Sequence, residues 1–159
     1  MSRAEESQSQ QLARNLNELL QEIRVAQAGV QILFGFLLSI AFTERYSTTS
    51  DYVRATHLVT VLFATASVAL LTAPAAWHRV LFRLGRREKI INVADRLAVG
   101  GLASLALAMT GTVLLLGEMI IGGWPAVLLA ILAGVGFGML WFALPIRQRL
   151  RGPTPSRTD

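Results

Sequence analysis

Gln27 and Gln31 stand four residues apart at the start of an apolar run, so a helix places both amides on one face. Polar side chains in a membrane helix turn toward protein or water. The ordinary outcome is a hydrogen bond to a neighbouring helix, worth about 0.6–2 kcal/mol. The sharper one is a polar vestibule for a ligand. Glu118 is the only carboxylate set within an apolar stretch. It invites a proton- or cation-binding role of the kind exchangers use. Counting about 20 residues from Leu97, the length a bilayer needs, puts it near the outer end of its span, where a carboxylate reaches water. Gln27, Gln31 and Glu118 are therefore the candidate polar membrane site.

The other chemistry-bearing residues point to structure. His57 and His78 flank one apolar run, and a helix between them holds them about 30 Å apart. They cannot share a metal ion, and no metal is expected. Asp95 and Arg96, with Glu88 and Lys89 upstream, open an apolar stretch; an aspartate there suits the positive end of a helix dipole. There is no cysteine, which removes disulfides, thiolate metal sites and a cysteine nucleophile. The sequence holds no P-loop, dinucleotide fingerprint, H-E-x-x-H or G-x-S-x-G. No acid, base and nucleophile converge, so neither an enzyme nor a cofactor is expected.

Elements that could position these residues follow from composition. The chain has 159 residues, of which 53% are hydrophobic and only 16% charged, against about 25% charged in soluble domains. Its mean hydropathy is +0.49. That much apolar surface needs a bilayer. Four segments read as transmembrane helices: 27–43, 55–77, 97–121 and 124–144. Lipid cannot satisfy backbone polar groups, and these runs lack the alternation of barrel strands, so helix is the remaining choice. The expected fold is an all-α, integral membrane four-helix bundle. The first span is short, its apolar run covering only 28–42, and it must borrow its flanks to cross.

Residues 1–26 form an amphipathic helix continuous with the first span. Leu12, Leu16, Leu19, Ile23, Ala26 and Val30 follow one another at alternating steps of four and three, a heptad seam. Leu12, Leu16, Leu19 and Ile23 are the candidate partner seam. Packing on the basic loop, lying on the membrane and pairing with another chain are its three outlets. Gly134 and Gly138 make a G-x-x-x-G pair, extended by Ala130, and Gly100, Ser104 and Ala108 make a similar ridge; such ridges let helices approach closely.

Charge sets the orientation. Of 15 lysines and arginines, only Arg45 and Arg54 lie on one side of the four spans. The positive-inside rule puts the other side, with both termini and residues 78–96, in the cytoplasm of a cell whose inner or plasma membrane the chain crosses. Arg79, Arg83, Arg86, Arg87 and Lys89 make residues 78–96 a basic interfacial elbow, the candidate contact for anionic lipid headgroups. Lipid, not nucleic acid, is the partner that the net charge of +5 implies. Residues 43–54 read as a polar loop, Gly122-Gly123 as a tight turn with Pro125 in the next first helical turn, and residues 145–159 as a basic disordered tail. Trp77 and Trp141 mark one interface and Trp124 the other. No signal peptide precedes the first span, which is expected to stay as an anchor.

The run Asn17-Glu18-Leu19-Leu20-Gln21-Glu22-Ile23-Arg24-Val25-Ala26-Gln27, continued by Gly29-Val30-Gln31-Ile32-Leu33-Phe34, resembles the opening of an actinobacterial family of small membrane proteins of unknown function. Thr72-Ala73-Pro74 with His78-Arg79, and Ala94-Asp95-Arg96-Leu97-Ala98, are similar to its later blocks. The resemblance implies four membrane helices and supplies no functional residues. Labels of the sodium:proton antiporter kind, sometimes attached to such proteins, find no mid-membrane ionisable residue here to support them.

The reading that results is a non-enzymatic scaffold or accessory subunit of a membrane complex. The alternative is a small oligomeric transporter or cation/proton exchanger, in which a homo-oligomer would enclose the pathway that four spans alone cannot.

Overall fold

The computed structural model describes residues 3–81 and 87–150, and among these there is no strand. Helix α1 (Arg3–Ala41) is followed by a single-turn helix α2 (Glu44–Ser47), then α3 (Asp51–Leu81), α4 (Arg87–Ile120) and α5 (Trp124–Gly138). A π-helical turn (Met139–Ala143) leads from α5 into α6 (Leu144–Leu150). Four stretches are long and apolar enough to cross a membrane: Ile23–Ala41, Asp51–Pro74, Asp95–Ile120 and Trp124–Arg147. At 19 to 26 residues, each meets the ~20 that a bilayer core requires. The fold is all-α, and the heptad helix and the first span are one unbroken element.

The seam in α1 extends further than its extramembrane part. Ile23, Val30 and Leu37, seven residues apart, are all buried, and Ala26, Leu33 and Ile40, each three residues further on, follow the same rhythm. This stripe packs on α3 and α4, which form the central pair. One core cluster joins Ile23 and Val30 to Leu71, Ala98 and Leu105; a second joins Leu37 to Val53, Ala64, Ala108 and Leu115. Ile23, a candidate contact for a partner, thus lies in the core of the chain itself. Leu12, Leu16 and Leu19 share its stripe, but their side chains lie outside the described residues.

The fourth span is peripheral. Only 6% of it is buried, against 22–28% for the other three, and it packs chiefly on α4. Glycine decides how close these approaches are. A Cβ at Gly117 would meet Ala126 of α5, and one at Gly101 would meet the Leu71 side chain at 2.7 Å. A Cβ at Gly111 would collide with Thr60. Gly134 faces Thr110 of α4, whereas Gly138 meets nothing within 4 Å.

Of the segments that flank the spans, residues 43–54 and the tail differ from the sequence-based expectation, while the basic elbow is partly helical as its pattern implies. Residues 43–54 hold α2 and the start of α3, because Ser50 caps α3 by accepting a hydrogen bond from the Val53 N–H at 3.4 Å, and Asp51 complements its dipole. Residues 78–96 are helical on both sides of 82–86, which lie outside the described residues. The tail is not irregular from residue 145: α6 continues to Leu150. Pro145 removes one N–H and crowds the carbonyl four residues back, at Trp141. The π-turn lies on that carbonyl, and its wider winding lets the helix continue past the proline. Residues 151–159, the rest of the expected tail, lie outside the described residues.

The Gly122-Gly123 turn is as expected. Both glycines have positive φ, 71° and 68°, a conformation other residues resist, and Pro125 sits in the first turn of α5.

Candidate functional site

The buried polar residues in the described chain are His57, Thr60, Ser67 and Thr112. The first three lie on one face of α3, spaced by three and seven, with Ala64 and Leu71 completing the stripe. Ser67 donates to the Gly101 carbonyl of α4 at 2.8 Å. Thr60 and Thr112 each donate to a carbonyl four residues back in their own helix. No buried side-chain nitrogen or oxygen among the described residues lacks a partner. The stripe is therefore a helix-packing face.

His57 ties three elements together. Its Nε2 lies 2.9 Å from the Leu37 carbonyl of α1, and its Nδ1 lies 2.9 Å from the Tyr46 hydroxyl of α2. A carbonyl only accepts, so Nε2 carries a proton and donates it, and Nδ1 is left to share a hydrogen bond with the Tyr46 hydroxyl. The two rings also meet edge to face at 5.0 Å. Beside them, Arg45 donates to the Met119 carbonyl at 2.7 Å, capping the end of α4 where helix dipoles favour a cation. Arg54 donates to the Ser47 carbonyl at 2.9 Å and stands 3.6 Å from Asp51, an exposed pair that adds little.

Gln27 donates its amide N–H to the Leu71 carbonyl at 3.0 Å, bridging α1 and α3. That carbonyl lies one residue beyond Leu70, whose helical partner N–H is missing at Pro74. Gln31 is exposed, so the two glutamines do not act as one pair. Glu118 is half-buried, two residues before the end of α4, at the opposite end of the spans from Gln27. The three candidate polar residues do not converge. No group of three histidines, cysteines or acidic residues that could hold a metal occurs among the described residues. Of the basic loop, Arg79 lies on α3, Arg87 and Lys89 open α4, and Arg83 and Arg86 lie outside the described residues.

A cleft of about 360 Å³ is lined by Val25, Ala26, Gly29 and Leu33 of α1, by Leu102, Leu105 and Met109 of α4, and by Trp141 of the π-turn. It is almost wholly apolar. Trp141, expected as an interfacial marker, forms one of its walls and packs on Phe137 at 5.2 Å.

The sequence reading missed the roles of His57, Arg45, Gly101 and Gly111. The step of three and seven from His57 through Thr60 to Ser67 was the available signal for the buried face. Nothing in the sequence pairs Arg45 with Met119.

Four apolar spanning helices with an interior of satisfied polar groups define a multi-pass membrane protein. The chain belongs to a family of unknown function, DUF6328, whose model matches residues 5–145. No curated protein and no solved structure matches it.

Proposed function

We propose that this chain is a non-enzymatic scaffold or accessory subunit of a membrane complex, with both termini in the cytoplasm. The carrying observation is that the polar groups buried among the described residues are all taken up within the chain, His57 and Ser67 in bonds between helices and Thr60 and Thr112 in bonds within their own. A protein with its interior so committed acts through its surfaces. α1 offers one such surface. Gln27 is level with Leu71, and Leu71 with Gly101. Counting back along the helices puts residues 3–12 of α1 beyond the described ends of both α3 and α4, a projection of about 15 Å. The neighbouring basic elbow would rest on anionic headgroups.

The test is the mass and composition of the particle extracted from its native membrane in mild detergent. A heteromeric complex, weakened by Leu12→Glu or Leu16→Glu, is the expected result. A homo-oligomer alone that moves protons or cations across liposomes, with flux lost in Glu118→Gln, would replace this reading with the exchanger.

A further inference from the structure

Gln27 gives its amide N–H to the Leu71 carbonyl, but the Gln31 amide, on an exposed residue, has no partner among the described residues. Other polar groups exposed along the spans are satisfied locally. The hydroxyls of Ser39, Thr65 and Thr72 each donate to the carbonyl four residues back in their own helix.

Depth makes an open amide costly. Gln31 lies one residue from the middle of the first span, Ile23–Ala41. The bonds from Gln27 to Leu71 and from His57 to Leu37 put it about level with Thr65, close to the middle of Asp51–Pro74 as well. Neither end of its span is nearer than about 12 Å along the helix, so the side chain does not reach water. Hydrocarbon offers an amide no partner, and an unpaired one there bears the full loss of its hydration.

What covers Gln31 must therefore bring a donor and an acceptor to the middle of the bilayer. A second copy does so by symmetry. Copies inserted the same way round and related by a two-fold axis along the bilayer normal present the same patch to each other at the same depth. An amide has both N–H donors and a carbonyl acceptor, so it is complementary to itself. Its surroundings allow the approach. Ala28, Gly35, Leu38 and Phe42 stand within about 60° of Gln31 around α1, and all are exposed. A Cβ added at Gly35 would meet nothing within 4 Å, and small residues such as Ala28 and Gly35 let membrane helices come close. Arg24 lies on the same side, seven residues nearer the N-terminus. Helices that cross at Gln31 and Gly35, at the angle of about 40° that small-residue contacts take, have diverged by that point, and each guanidinium reaches headgroups.

We propose that α1 of one chain packs on α1 of a second copy, with the two Gln31 amides hydrogen-bonded to each other across a two-fold axis and Gly35 at the closest approach. The bond lies between copies, so it fixes the pair and leaves the stability of a separated chain to the contacts within it. A scaffold and an exchanger could each be built on such a pair, and the inference needs neither reading.

Energy transfer between copies tests it. The full chain, labelled with donor or acceptor dye at Ser156→Cys and mixed in phosphatidylcholine vesicles, should associate as the chain-to-lipid ratio rises. Gln31→Leu should weaken that association about 3- to 30-fold, the range for polar contacts between membrane helices. Gly35→Leu, which meets open space within the chain, should abolish it with the helical circular dichroism intact. Gly136→Leu, at an open glycine of α5, should leave it unchanged. Oxidation with copper phenanthroline then locates the seam, since the chain has no cysteine of its own. Ala28→Cys and Gly35→Cys should link two copies, and Phe36→Cys, exposed on the neighbouring face, should not. Chains that stay apart at every density would overturn the proposal, and a different protein linked to Gly35→Cys in the native membrane would then be the cover. Association that Gln31→Leu leaves unchanged, or links through Phe36→Cys in place of Gly35→Cys, would overturn it equally.

Discussion

The imidazole of His57 donates from Nε2 to the backbone carbonyl of Leu37 at 2.9 Å, so the second span closes on the first through a group that no side-chain change at Leu37 removes. The other ring nitrogen takes the Tyr46 hydroxyl at the same distance. The ring is 5% exposed and both nitrogens are occupied. One side chain thereby fixes α1, α2 and α3 at one end of the spans.

His57→Ala should therefore destabilise the protein by about 1–3 kcal/mol, through two lost hydrogen bonds and the space left behind. Tyr46→Phe keeps the ring contact and loses one bond, and should cost less, about 0.5–1 kcal/mol. In the double variant the two costs should fall short of adding, because His57→Ala already removes the bond that Tyr46→Phe deletes. Reversible unfolding in mixed micelles measures all three. A His57→Ala protein as stable as the parent would show that the ring does not hold the elements together.

The glycines make a sharper contrast. Gly111 faces Thr60 so closely that a Cβ has no room, and Gly101 faces Leu71 in the same way. Gly111→Ala should push α3 from α4 at their central contact and cost about 1–3 kcal/mol, the usual range for overpacking. Thr60→Ala in the same chain should recover part of that loss by removing the atoms that collide. Gly136→Ala meets open space and should be neutral or stabilising by up to about 1 kcal/mol, the helix-propensity difference between the two residues. Melting in detergent, followed by far-ultraviolet circular dichroism, ranks the three.

Gln27 and Gln31 should separate in the same assay. Gln27→Leu breaks the bridge to the Leu71 carbonyl and should cost about 0.6–1.7 kcal/mol, the span measured for hydrogen bonds between membrane helices. Gln31 is exposed within a spanning segment, where an amide gains nothing from lipid. Gln31→Leu should leave stability unchanged or raise it. Equal losses at both positions would mean that the glutamines work as a pair after all.

What was legible in the sequence follows its periodicities. Runs of apolar residues marked the four spans, and the four-three rhythm from Leu12 to Val30 marked a helix face that the structure carries on to Leu37 and Ile40. Gly122-Gly123 marked a turn because only glycine takes its φ freely. These signals are local. The bond from Gln27 to Leu71, the seat of His57 and the cap from Arg45 to Met119 join residues 20 to 74 positions apart. They depend on how each helix is rotated and offset against its neighbours, which periodicity does not fix. The G-x-x-x-G pair illustrates the limit: Gly134 packs on Thr110 but Gly138 is open, while the tightest approaches fall at Gly101 and Gly111, outside that motif. The π-turn before Pro145 was equally hidden, since proline alone predicts a kink or an end.

Orientation is the prediction that most constrains function, and the chain is well suited to test it because it has no cysteine of its own. An even number of spans puts both termini on one side, and 13 of the 15 basic residues accompany them, Arg45 and Arg54 being the exceptions. Basic residues in short loops are retained in the cytoplasm during insertion. Ser9→Cys and Ser156→Cys should therefore resist a membrane-impermeant maleimide in intact cells and react once the membrane is opened. Glu44→Cys, on the exposed turn of α2, should react in intact cells. The reverse pattern would place the arginine-rich leaflet outside. The projecting end of α1 would then face the exterior, where no cytoplasmic partner could reach it.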